Sequence, residues 1–276
     1  MKKLIISENE KNRIRSLYNL QEQTDNEKIF GKFLDMVKNT AKSSKSDIES
    51  KDDLDDLDDD DTTTSVDVSN IAGLNDNEKI VLSQLKSDGF TDEASAAVMG
   101  VVGGESGFKT FKEASYRNTA NSRIRAIFPS KLGKLSDQEL DRVKQSDEAF
   151  FNAVYGGMYG NAPNEGWKYV GRGFNGITFK GNYEAAKKCT GIDFVGQPEL
   201  LEDPKYAAKA LSCYFKVVKD IDNFEQAFRE AFRQNAGPGN SWEYYANSTN
   251  PVAVTGIPLK RGKAQQYYKY IKGESV

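Results

Sequence analysis

The chain has 276 residues, with 38 basic side chains against 41 acidic ones, a formal net charge of −3, two cysteines and no histidine. Without histidine there can be no Ser-His-Asp or Cys-His nucleophile system, and two cysteines lacking C-x-x-C spacing exclude a structural zinc site, so acid/base chemistry falls to carboxylates, lysine or tyrosine. Residues 43–70 hold 11 acidic side chains and 2 lysines, a local −9, which leaves the remainder at +6; that mildly basic surface suits an anionic polymer without identifying one.

Residues 1–42 read as short helices. Ser7 and Glu10 form a capping box ahead of Ile14, Leu17 and Tyr18, and Ile29, Phe30, Phe33, Leu34 and Val37 share a helical stripe. About 40 residues cannot close a core unaided. These helices are therefore expected to dock, either on the C-terminal domain or on a virion or envelope partner. Leu4, Ile5 and Ile6 are the only apolar run at the start, too short for a signal-peptide core. No stretch of 18 apolar residues occurs, so no transmembrane segment is expected. Residues 43–70 read as an acidic disordered linker. A calcium loop is disfavoured there, because the D-x-D-x-D-G pattern and its turn glycine are missing.

Residues 71–276 have the composition of one mainly helical domain. Asn75 can cap a helix to Asp88 with Gly89 as its stop, and Thr91 can cap the next, from Asp92 to about Gly103. Further helices are predicted at Ser136–Gln145, Asp147–Tyr155, Tyr183–Cys189, Tyr206–Val218, Phe224–Gln234 and Lys263–Ile271. The glycine-rich piece from Gly156 to Gly181 breaks the pattern and reads as a small hairpin or irregular lobe. Cys213 lies in the apolar stretch Ala207 to Phe215 and reads as a buried free thiol rather than half of a disulfide.

Two carboxylates draw notice. On the helix after Thr91, Glu105 lies about 40° from Val101 and about 20° from Val98 and Ala94, so it continues an apolar stripe. A charge there is costly, and one resolution is a desolvated, protonated carboxyl, the form that general-acid cleavage of a glycosidic bond requires. The plainer reading ends the helix near Gly103 and turns Glu105 to solvent. Glu113 follows past a glycine break, between Lys112 and Ser115. There it is either an ionised partner to the acid or a solvated loop residue. Contrasting surroundings are what separate an acid from a base.

The stretch YGGMYGNAPNEGWKYVGRGFNGITFKGNY, Tyr155 to Tyr183, resembles the signature of glycoside hydrolase family 19, the chitinases and bacteriophage endolysins. Upstream, GGESGFKTFKEASY resembles the family segment that carries its acid and base glutamates. RIRAIFPSKL and QPELLEDPKYAAKALSCYF resemble endolysin members, so the likeness spans roughly Val98 to Asn240. The resemblance implies a lysozyme-like α+β fold: a helical, two-lobed domain with a small glycine-rich lobe. It implies Glu105 as general acid, Glu113 as general base and Thr178 as the hydroxyl that orients the attacking water. Tyr155, Asn161, Lys168, Tyr169, Arg172, Asn175, Asn182 and Asn235 fall on the motif positions implied to bind glycan, Arg172 being assigned first to structure as a buried donor.

The chain departs from the family pattern at three places. Gly104 stands where a histidine often precedes the acid, Gly176 replaces a glutamine with Asn175 one position earlier, and Met158 replaces an arginine. The family inverts, so the carboxyl groups are expected roughly 6.5–9.5 Å apart around a water. No cofactor or nucleic acid is implied. The implied partner is the glycan strand of peptidoglycan, reached from a host cytoplasm or from a virion. A lytic transglycosylase, suggested by G-E-S-G-F, and a non-catalytic virion or glycan-binding protein are the competing expectations.

Overall fold

The computed structural model describes residues 68, 71, 73–236 and 251–274. The helices expected within residues 1–42 and nearly all of the acidic linker lie outside the described residues. Val68, at the end of that run, is buried in the core.

The described chain is mainly helical. In order it forms α1 (Asp76–Ser87), α2 (Asp92–Glu105), β1 (Phe111–Lys112), α3 (Asn121–Ile127), α4 (Pro129–Leu132), α5 (Asp137–Val143) and α6 (Asp147–Tyr155). These are followed by β2 (Arg172–Gly173), α7 (Lys180–Thr190), α8 (Pro204–Tyr214), α9 (Phe224–Ala236) and α10 (Pro251–Lys272). Short 3₁₀ turns occupy Pro198–Glu202 and Lys216–Val218. Among these residues no helix is long and apolar enough to cross a membrane.

The helix starts follow from side-chain caps. Asn75 and Glu78 close a reciprocal capping box on α1, and Thr91 accepts from the Ala94 amide at the start of α2. Ser136 and Ser146 do the same for α5 and α6. Helix α2 does not stop near Gly103; it runs to Glu105.

Among the described residues, three apolar clusters make the core. In the first, α2 is packed by α1, α9 and α10, with α8 joining through α1, and Ala94 through Gly103 of α2 are buried without a break. Helix α10 lies against α2 so closely that a β-carbon at Gly100 would sit 2.3 Å from that of Ala264. Only a residue without a side chain admits that crossing. The second cluster joins α3 to α6 through interlocked rings: Tyr116 stacks on Phe150 at 4.9 Å and meets Phe128 edge-on at 5.2 Å. The third gathers Tyr169, Tyr183, Phe194 and Leu201 under the glycine-rich segment.

That segment is irregular, as expected, but its strand partner lies outside it. β2 pairs antiparallel with β1, Phe111 opposite Gly173 and Lys112 opposite Arg172. A bridge from Arg172 to Ile177 closes a tight turn.

The expectation for the cysteines is overturned. Cys189 and Cys213 form a disulfide between α7 and α8, with Cα atoms 6.2 Å apart. The neighbouring apolar residues misled: Ala207, Ala208 and Leu211 take the buried face of α8, while Cys213 is only half buried and meets exposed Cys189 on the next helix. Helix α10 also begins at Pro251 rather than Lys263 and runs through Pro258.

Candidate active site

Glu105 is the last residue of α2, half-buried where that helix meets α9 and α10. Its surroundings differ from those expected. The apolar stripe does bring the side chain inward, but it arrives beside a cation. The ammonium of Lys260, on α10, donates to Glu105 Oε1, and so does Asn235 Nδ2, from the last turn of α9, at 2.8 Å. Glu105 is therefore not a lone carboxyl in apolar surroundings but one half of an enclosed ion pair. The Lys260 side chain is 4% exposed, and its ammonium also lies 5.3 Å from the centre of the Phe232 ring.

The chain leaves α2 through a turn of unusual backbone. Gly107 and Phe108 both have positive φ, +59° and +57°, a region that costs a phenylalanine of order 1–3 kcal/mol. Packing holds it there. The Phe108 ring meets Phe174 and Tyr267, and its carbonyl accepts from Asn77 Nδ2 at 2.8 Å. This turn delivers the chain to β1 and so to Glu113.

Glu113 is not a solvated loop residue. Its amide donates to the Gly171 carbonyl at 2.8 Å, prolonging the β1–β2 pairing. The Tyr155 hydroxyl donates to its carboxylate at 2.8 and 3.1 Å, the Tyr116 hydroxyl at 3.4 Å and the Gly171 amide at 3.3 Å. Donors gathered on an acceptor-only group suit an anion. The two glutamates thus sit in contrasting settings, one against an ammonium and an amide, the other among phenols and a backbone N–H.

Thr178 lies beside Glu113. A β-carbon at residue 171 would sit 3.3 Å from Thr178 Oγ1 and 3.6 Å from Glu113 Oε2, so both oxygens face one spot over Gly171. The Thr178 hydroxyl donates to the Gly176 carbonyl at 2.9 Å. Phe179, next in the chain, has φ +72° and packs against Tyr155 at 5.3 Å.

The other expected contacts divide by what holds them. Arg172 is buried as a structural donor, reaching Glu202 at 2.9 Å, the Lys168 carbonyl at 2.8 Å and the Tyr183 hydroxyl at 3.0 Å. Burial raises the Tyr183 phenol well above its ordinary range, which keeps it a donor, at 2.7 Å, to the Val170 carbonyl. Asn161 braces its loop from both ends of its amide, to the Tyr155 carbonyl and from the Lys180 amide. Asn182 holds the Thr178 carbonyl at 2.7 Å. Tyr169 is buried with its hydroxyl on the Val195 carbonyl, and the Lys168 ammonium lies over its ring at 5.4 Å. Asn175 is buried within the turn between Arg172 and Ile177. Asn235 meets Glu105 itself.

The residue that sequence reasoning missed is Lys260. It belongs to the stripe Lys260, Ala264, Tyr267 of α10, buried against α2. A lysine at helical spacing on an apolar face was the available signal, but the helix was expected to start only at Lys263, three residues past Lys260, whereas it begins at Pro251. Among the described residues no group of three or more Asp, Glu or Cys could hold a metal ion. The chain matches no protein-family model and no curated protein sequence.

Proposed function

We propose that this chain is a peptidoglycan-cleaving glycoside hydrolase with a lysozyme-like catalytic domain, Glu105 serving as general acid and Glu113 as general base. The observation that carries the reading is the convergence of Glu113 Oε2 and Thr178 Oγ1 over Gly171. A carboxylate and a hydroxyl facing one spot are what is needed to hold and deprotonate a water. Glu105, at the other end of the turn through Phe108, supplies a second carboxyl in a different setting.

The reaction follows from these roles. Glu105 protonates the departing glycosidic oxygen while water, held by Thr178 and Glu113, attacks the anomeric carbon from the opposite face. The water's proton passes to Glu113, and the new sugar end is reducing, with inverted configuration. Tyr155, Tyr116 and the Gly171 amide keep the base oriented.

A non-catalytic, glycan-binding reading draws on one observation. Glu105 is tied to an ammonium, and an acid so engaged must still carry a proton to act. Product analysis decides. Wild-type protein is incubated with purified sacculi, and the fragments are reduced with borohydride and weighed by mass spectrometry. Release of reducible ends is the expected result. Anhydro ends indicate a transglycosylase, and binding without release an attachment module; either result rejects the hydrolase.

A further inference from the structure

Resting on the reading of Glu105 as the acid, we infer that Lys260 is its positioning residue, and that residue 104 is glycine because the Lys260 side chain occupies the space beside it. A β-carbon at 104 would sit 2.4 Å from Lys260 Cγ, 3.0 Å from Cε and 3.3 Å from Cδ. All three nearest atoms belong to this one side chain. The lysine stem thus lies across the last turn of α2, and its ammonium reaches forward to the next residue, Glu105. Any side chain at 104 forces the stem away and breaks that contact. The glycine where the resemblance leads one to expect histidine is therefore matched to a lysine more than 150 positions along the chain.

The consequence for chemistry lies in which oxygen carries the proton. Lys260 and Asn235 both donate to Oε1. An oxygen accepting from two N–H donors is a poor place for a third hydrogen, so a proton on Glu105 resides on Oε2. Two donors arriving from α10 and α9 also stop the carboxyl from rotating. Lys260 touches no substrate in this account; it fixes the acid so that Oε2 is the oxygen presented to the leaving group.

The test is a cycle read in two ways, on the full chain. In sacculus hydrolysis, Glu105→Gln is inactive, and Lys260→Met lowers kcat at least tenfold with KM within about twofold, since binding is untouched. In thermal unfolding, Gly104→Ala lowers the melting temperature in the wild-type background. In the Lys260→Ala background it leaves the temperature unchanged or raises it, because alanine favours a helix once the stem is gone. Lys260→Met with wild-type kcat while Glu105→Gln is dead overturns the positioning role and leaves the acid assignment standing. An inert wild-type protein, or an active Glu105→Gln, overturns both. Equal melting shifts for Gly104→Ala in the two backgrounds overturn the matched pair, whatever the activity.

Discussion

At the scale of single residues, the candidate site is an exercise in holding two carboxylates by different donors. Glu113 depends on phenols. Tyr155 is buried by the rings of Phe151, Phe128 and Phe179 and offers its hydroxyl to both carboxylate oxygens. Tyr155→Phe keeps that ring packing and removes only the hydrogen bond. A hydrogen bond to a charged group contributes about 1.5–3 kcal/mol, so the fold should survive while kcat falls about tenfold or more. Steady-state kinetics on soluble glycan fragments, with a melting curve alongside, checks this; unchanged kcat would show that the hydroxyl does not serve the base. The glutamates themselves were legible in the sequence, Glu105 from its helical angle and Glu113 from the motif it resembles. Of their partners, Tyr155 and Asn235 were expected as glycan contacts rather than as donors to the glutamates, and Lys260 was not expected at the site. Lys260 and Asn235 reach Glu105 from helices that fold back over α2, and no local spacing encodes such a meeting.

At the scale of elements, α10 holds α2 from end to end. Gly100 and Ala264 set the close crossing, and Lys260 meets Glu105 at the C-terminal end of α2. At the N-terminal end, Lys272 donates to Asp92, which also accepts from Lys86 of α1. Burial raises the carboxyl of Asp92, but the hydrogen bonds and charges of Lys272 and Lys86 outweigh it, and the net shift is downward from 3.8. A carboxyl with a depressed folded-state pKa adds stability above its unfolded value and loses it as pH falls through the folded one. Asp92→Asn is therefore predicted to be less stable than wild type at pH 7, the gap closing below about pH 4. Urea midpoints of both proteins from pH 7 to pH 3 measure it, and a gap independent of pH would refute the claim. Helices with caps and long stripes, such as α1, α2 and α6, could be read directly from the sequence. α3 and α4 could not: neither has a side-chain N-cap to announce it, whereas α5, as short as α3, carries the Ser136–Glu139 capping box.

At the scale of the whole molecule, three clusters and one covalent bond connect parts distant in sequence. The disulfide joins Cys189 to Cys213, 24 residues apart, and so ties α7, which follows Thr178, to α8 of the large helical cluster. Closing a loop of that size stabilises a fold by about 3 kcal/mol in the chain-entropy account. Mild reduction should lower the melting temperature, and Cys213→Ser should lower it equally with no further effect of reductant. Equal melting with and without reductant would contradict a structural role. The sequence suggested a free thiol because an apolar run reads as buried all round, whereas a helix buries one face and leaves another for its neighbour. Glycines marked the Gly156–Gly181 segment as one irregular piece, yet its strand partner at Phe111–Lys112 is set by tertiary pairing alone.

The division of hydrolysis between two carboxylates, as we propose it, is tested most directly by Glu113→Gln. The rate at which sacculi release reducing ends is measured for this variant beside wild type, with folding confirmed by circular dichroism. Loss of a general base predicts a fall of about 10²–10⁴-fold at unchanged sacculus binding. A Glu113→Gln protein that releases sugar ends at the wild-type rate would contradict the account, leaving Glu105 to act without this partner.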